Sequence, residues 1–426
     1  MTKTPTDVDI SPIGKGEVAA VQRRTLAVLS LAQITSGAGV AVGLALGSLV
    51  VGKLSGSVAI SGLAGTASVL GAALLALPTA RASGRGGRRR GLTLAYGSAL
   101  LGCLTVVIAI TVGSWPLLLA GLVLFGGASA GNLASRYSAT DLSAPGHSAR
   151  HLSWVVWAVT IGSVAGPNLV EPADHLARRA GLAPDVGPFV FSLLAFAIAL
   201  GIIAAGLRPD PLLLARSVAP ATSAASMTPA ARTRGTLRTA WQVLRATPAA
   251  SQALVAIAVS HTAMVSVMSM TPIHLNHNGA TYSVIGIVIS MHIAGMYALS
   301  PVVGWLADRI GRIRMLVLGM ALLLAAAVLA GTAGPHGVVQ VSVALALLGV
   351  GWSCGLISGS AMLSEAVSLE HRPAVQGLSD LLMNACGATG TVVAGAIVST
   401  LSYGALGTVV AVMVTITGAW LTLRRP

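Results

Sequence analysis

Asp380 is an acidic residue inside an apolar run, and Asn384 and Gly387 follow it at i+4 and i+7, so the three form one polar stripe on a helix. A carboxylate held among apolar neighbours can bind and release a proton, and an ion pair that pins one end of its helix is the competing role. His261 and His292 lie near the middle of two other apolar runs, where an imidazole can carry a proton near neutral pH or join helices through hydrogen bonds. Met264 and Met268 share the His261 face, and Met270, His274 and His277 stand at its far end. Thioether and imidazole together suit a soft metal ion or an adaptable binding surface, and ordinary packing is the plainest account. Gln33 and Asn132 are candidates to line a cavity. Arg136 lies close to one end of its run and reads as a side chain that snorkels to the surface.

The elements that position these residues are membrane helices. The chain has 426 residues, 54% hydrophobic and only 9% charged, with a mean hydropathy of +0.83, which excludes an ordinary soluble domain. Runs of about 20 apolar residues, the length that crosses a bilayer, recur to the end of the chain. Twelve spans are predicted, near 26–47, 58–80, 92–113, 116–138, 152–171, 188–207, 249–271, 283–306, 315–333, 338–362, 375–398 and 404–423. The first run is too long for a cleaved signal peptide. Cys103, Cys354 and Cys386 all fall inside apolar windows, so neither a disulfide framework nor a Cys-based zinc site is predicted.

Arginines gather before span 1 and after spans 2, 4, 6, 8, 10 and 12, whereas Lys53, Arg178 and Arg179 fall on the other side. By the positive-inside rule both termini are expected to be cytoplasmic, in a multi-pass protein of the cell membrane. The net charge of +14 thus marks topology, and with no separate basic domain a nucleic-acid partner is not expected. The chain divides into residues 1–208, a central cytoplasmic stretch 209–247 and residues 248–426. Near the end of that stretch Leu237, Ala240, Trp241 and Leu244 fall on one face, as in a helix lying on the inner leaflet. The halves echo each other at an offset of 224, where Gly127 meets Gly351, Gly131 meets Gly355, Asp141 meets Glu365 and Gly166 meets Gly390.

After span 8 comes GWLADRIGRIR, Gly304 to Arg314, which resembles the loop signature of the major facilitator superfamily. The resemblance implies an all-α polytopic fold of twelve transmembrane helices in two pseudo-symmetric six-helix bundles. It also implies that Gly304, Asp308, Arg309, Gly311 and Arg312 lock the cytoplasmic side. In the first half Arg85, Gly87 and Arg88 fit the same signature, but Gly84 stands at the acidic position. Acid-to-Arg pairs are expected after spans 4 and 10, Asp141 with Arg150 and Glu365 with Arg372. In span 5, Gly162, Gly166 and Pro167 resemble part of the antiporter signature of proton-coupled exporters, with Ser153 at its first glycine, and are expected to bend the helix and smooth the face between the halves. Span 4 lacks the family's R-x-x-Q-G motif.

The resemblance implies a secondary transporter, functional as a monomer, whose partners are a small-molecule substrate, protons and the lipid bilayer. The expected activity is proton-coupled efflux of small, moderately hydrophobic or weakly cationic compounds. A metal or metabolite carrier, an uptake carrier and a non-transporting sensor or scaffold are the alternatives. No nucleophile with a base, metal-ligand spacing or phosphate loop is found, so neither an enzyme nor a cofactor is expected.

Overall fold

The computed structural model describes residues 15–219, 236–334 and 337–423. Every predicted span is helical. The elements are α1 (Lys15–Ser55), α2 (Val58–Ser61), α3 (Leu63–Gly86), α4 (Arg88–Thr111), α5 (Trp115–Phe125), α6 (Gly127–Ser138), α7 (Ser148–Asn168), α8 (Val170–Arg179) and α9 (Gly187–Gly206) in the first half. Two short helices, α10 (Pro211–Val218) and α11 (Thr236–Ala246), follow. The second half holds α12 (Pro248–His277), α13 (Tyr282–Tyr297), α14 (Ser300–Ile310), α15 (Arg312–Gly331), α16 (Val338–Ala366), α17 (Arg372–Thr400) and α18 (Tyr403–Leu423). Among the described residues eleven helical stretches are long and apolar enough to cross a membrane, α5 with α6 and α13 with α14 each forming one of them, and α7 with α8, bent 56° from one another, make a twelfth when taken as one span. A bilayer has no water to satisfy open backbone groups, so a chain this apolar closes its hydrogen bonds within helices.

Span 4 is interrupted at Gly126, between α5 and α6, and span 8 at Ala298–Leu299, ahead of Pro301. Gly87 and Gly311 end α3 and α14 at φ 84° and 97°, a backbone region closed to most side chains, and they occupy equivalent places in the two halves. Part of the central stretch read as loop is the helix α10: Asp210 caps it by accepting from the amides of Leu212 and Leu213, and accepts from Arg89 N at the start of α4. Residues 220–235 of that stretch lie outside the described residues. In α11, Ala240 and Leu244 are buried in the second-half core, while Leu237 and Trp241 stay exposed. The expected apolar face is therefore divided between α17, against which α11 packs, and the surroundings.

The halves meet where α3 packs on α17 and α7 packs on α14. Both contacts depend on missing side-chain atoms. A Cβ on Gly377 would collide with Ala80, and one on Gly304 would collide with Ser153. Ala149, Leu152 and Val156 from the first half share an apolar core with Val303, Ala307 and Ile357 from the second. All of this lies toward the arginine-rich end.

A Cβ at Gly84 would stand 3.8 Å from the Pro373 Cβ, a disulfide-compatible separation. In a background with the three native cysteines replaced by alanine, Gly84→Cys with Pro373→Cys should cross-link under mild oxidation and arrest transport. Absence of the link on denaturing gels would contradict the closed arrangement of α3 and α17.

Candidate functional site

Two polar systems occupy the interface between the halves, a set of locks at the arginine-rich end and, deeper, a buried ion pair with polar and aromatic side chains one turn beyond it.

The locks begin in each half with the same pair. Arg88 binds Asp141 in bidentate fashion, Nε to Oδ2 at 2.7 Å and Nη2 to Oδ1 at 3.0 Å. Arg312 binds Glu365 likewise at 3.2 and 2.7 Å. The arginine follows the positive-φ glycine and the acid follows span 4 or 10, so the two pairs are copies at the 224 offset. These acids do not take the arginines expected of them. Asp141 pairs with Arg88 rather than Arg150, and Glu365 with Arg312 rather than Arg372, whose Nε donates to Val367 O. The reason is direction: the helix after the positive-φ glycine returns beside span 4 or 10, so its first arginine meets the acid from the side.

From these pairs the locks cross between the halves. Arg88 Nη2 donates to Gln376 Oε1 on α17 at 2.7 Å, and Gln376 Nε2 donates to Ser364 Oγ. Asp308, ion-paired with Arg312, accepts from the amides of Ala149 and Arg150 at 3.2 and 2.9 Å, so a carboxylate of α14 caps the start of α7 in the other half. In the first half Gly84 stands where Asp308 does, and it faces Pro373 in the first turn of α17. A proline offers no N–H to cap, so an acid at Gly84 would lack that partner. Arg309 stays out of the lock and lies over the Trp305 ring at 5.3 Å.

Deeper between the halves, Arg136 Nη2 meets Asp380 Oδ1 at 2.7 Å. Arg136 is 1% exposed and does not snorkel. Its Nε donates to Ser360 Oγ at 3.1 Å, its Nη2 also reaches Tyr137 OH at 3.3 Å, and Tyr137 OH donates to Ser379 Oγ. Position along the span had suggested a surface end for Arg136, but α17 covers that end. Arg136 and Ser360 are themselves an equivalent pair at the 224 offset, so this contact lies near the axis relating the halves.

One turn beyond the ion pair, about 6 Å farther from the arginine-rich end, stand Asn132 on α6 and Asn384 on α17. Gln33 Nε2 donates to Asn132 O at 2.9 Å, and Asn132 Oδ1 accepts from Ser36 Oγ and Tyr96 OH at 2.6 and 3.0 Å. Across from them the Trp352 indole donates to His261 Nδ1 at 3.1 Å, and Tyr297 stands edge-on to Trp352 with centroids 5.7 Å apart. Gly387 makes room for the imidazole, since a Cβ there would stand 2.8 Å from its Nε2. Trp352, Tyr297 and Tyr96 were missed in the sequence, where the low aromatic content gave no reason to look for a cluster.

Other expected residues lie elsewhere. His292 is fully buried within the second half, where its Nδ1 donates to Leu345 O at 2.8 Å and ties α13 to α16. Met264 is buried in the second-half core, Met268 packs against it, and His274 stacks on Tyr403. Among the described residues no group of three or more His, Cys, Asp or Glu side chains converges as metal ligands. Gly162 and Gly166 press α7 against Ile34, Ala38 and Ala41 of α1 inside the first half, and Ser153 of the same helix meets the second. The expected packing face thus lies within a bundle; the bend comes after it, beyond Asn168. The side chain of Pro167 lies outside the described residues.

A polytopic bundle of two related halves, joined by polar locks and a buried ion pair, is the design of a membrane transporter. The chain belongs to the Major Facilitator Superfamily. The model of that family matches residues 253–426. An uncharacterized MFS-type transporter of Bacillus subtilis (strain 168), YdeG, is 35% identical over 91% of this chain and 88% of its own. The riboflavin transporter RfnT of Brucella anthropi is 27% identical over 86% of each chain. Among solved structures, the human organic anion transporter MFSD10 (TETRAN) has the same fold, with a TM-score of 0.75 at 17% identity over 94% of this chain and 99% of that one.

Removing one partner of a buried ion pair strands the other and costs about 3–5 kcal/mol. Arg136→Gln or Asp380→Asn alone should lower the melting temperature in detergent, and the double substitution should recover more than half of the loss. Equal losses in all three would show that the charges do not stabilise one another. Asp308→Ala should cost about 1 kcal/mol as a lost cap and slow the Gly84→Cys to Pro373→Cys cross-link.

Proposed function

We propose that this protein is a proton-coupled exporter of small, moderately hydrophobic, neutral or weakly cationic compounds. In this reading it works as a monomer in the cell membrane, with the arginine-rich face and both termini in the cytoplasm. The supporting observation is the Arg136–Asp380 ion pair, because its members belong to different halves. Rocking of one bundle against the other must part them, and two separated charges at that depth are costly. A proton on Asp380 removes one charge and the attraction together, which lowers the cost of opening the cytoplasmic side.

The sequence of events follows from that. In this reading, while the locks are closed the space between the halves opens to the outside, solute leaves and a proton reaches Asp380. Release of Arg136 lets α17 move from α3 and α14 from α7, and that space turns inward. The proton then departs to the cytoplasm as a new solute molecule enters. Asp308 and the Arg88–Gln376 bond close the cycle by rejoining the halves.

His261 is given a binding role. An indole N–H only donates, so His261 Nδ1 must offer its lone pair, and the ring is neutral in this arrangement. His292, sealed within one half, is placed outside the pathway. The likeness to RfnT favours a second reading, carriage of a metabolite such as riboflavin, since Trp352 and Tyr297 stand edge to face beside His261.

Purified protein in liposomes with an internal pH dye, challenged in turn with lipophilic cations, neutral antibiotics, divalent metals and riboflavin, tests the coupling. A solute gradient should drive proton movement that is lost in Asp380→Asn while labelled solute still crosses. Unchanged proton flux in that variant would remove Asp380 from the coupling.

A further inference from the structure

The first-half turn has no acid with which to hold the second half, because Gly84 stands at the position equivalent to Asp308. A contact across the join is still made at that residue, by a side chain from the central stretch. Arg216, in the last turn of α10, donates from Nη1 to Gly84 O at 3.1 Å and from Nη2 to Leu369 O at 3.5 Å. Gly84 O is one of the last four carbonyls of α3, which the helix itself leaves open. Leu369 lies in the other half, in the turn between α16 and α17.

The start of α10 is fastened where Arg216 can reach both carbonyls. Leu212 is fully buried, and Leu214 and Ala215 are buried beside it. Asp210 accepts from the amides of Leu212, Leu213 and Arg89, and a Cβ on Gly87 would collide with its carboxylate. At the equivalent Gly311, no atom of the described residues beyond its chain neighbours lies within 4 Å of that Cβ position. The central stretch is thus seated on one of two equivalent turns, the one that lacks the acid.

The chemistry of the two contacts is reversed. Asp308 accepts from backbone amides of the opposite half, whereas Arg216 donates to a backbone carbonyl in each half. The bond that crosses the join is the longer one, and Arg216 Nε is buried without a hydrogen-bond partner. A guanidinium satisfied only in part is released at modest cost, which suits a contact that rocking must break and remake.

We propose that Arg216 is the first-half counterpart of the Asp308 lock: α10 supplies the contact across the join that Gly84 cannot, and each turnover releases it. Arg216 is a positioning residue that sets the balance between the closed and open arrangements. The inference goes beyond the exporter reading and holds for either direction of transport.

Spin labels at Arg85→Cys on α3 and Arg314→Cys on α15, both exposed, test it by reporting the separation of the halves through double electron–electron resonance. The full-length protein is used, with the three native cysteines replaced by alanine. Neither solute nor a proton gradient is needed, so a failure of proton coupling leaves the result intact. Arg216→Ala should raise the ratio of the longer to the shorter distance by about fivefold or more. Arg216→Lys, which keeps the charge but loses the fork that reaches two carbonyls, should give a smaller rise. Ser217→Ala, at an exposed neighbour on the same helix, should leave the ratio unchanged. Should Arg216→Ala fail to fold, as judged by its melting in detergent, Arg216→Lys against the unaltered protein decides alone. An unchanged ratio in the deciding variant, or an equal rise in Ser217→Ala, would overturn the proposal.

Discussion

Arg136 and Asp380 belong to different bundles and are both nearly inaccessible, one on α6 and the other on α17. Neither charge can be stable at that depth unless the other stands against it, so the pair is a condition on how the bundles meet. The small residues follow from this condition. Gly377 against Ala80 and Gly304 against Ser153 allow the helix backbones to approach closely enough for a short ionic contact, and larger side chains would hold the halves apart. Ser360 then takes the guanidinium Nε, Tyr137 shares Nη2 with the carboxylate, and Nη1 is buried without a hydrogen-bond partner.

Internal symmetry separates what builds each bundle from what joins them. Arg88 with Asp141 and Arg312 with Glu365 are copies, as are the turns at Gly87 and Gly311. These repeated features tie each span-3-type helix to its own bundle. The joining contacts depart from symmetry: Asp308 has Gly84 as its counterpart, and Arg136 has Ser360. A two-state rocking device benefits from such inequality, because a few contacts made only once can be broken without loosening either bundle.

The region beyond the ion pair shows the same economy. A chain with few aromatic residues sets Trp352 and Tyr297 beside His261 in the second half, and Tyr96 against Asn132 in the first. Its net neutrality comes from pairing, since Arg136 or Asp380 alone would leave an uncompensated buried charge.

The sequence by itself determined the membrane class, all twelve spans and the family, because apolar length, the distribution of arginines and the GWLADRIGRIR signature are local properties. It also singled out Gly304, Asp308 and Arg312, because they stand within that one motif. What only the tertiary structure decided is which helix each group faces. Asp141 and Glu365 have nearer arginines in sequence than the ones they bind, and helix direction made the choice. Arg136 reads as a surface residue along its own span and becomes interior only because α17 crosses its end. Gly162 and Gly166 look alike whether they face α1 or the other half, and Trp352 is one more apolar residue until His261 lies beside its indole N–H. A helix repeats its faces every few residues, so sequence shows that a face exists, and only packing selects its neighbour.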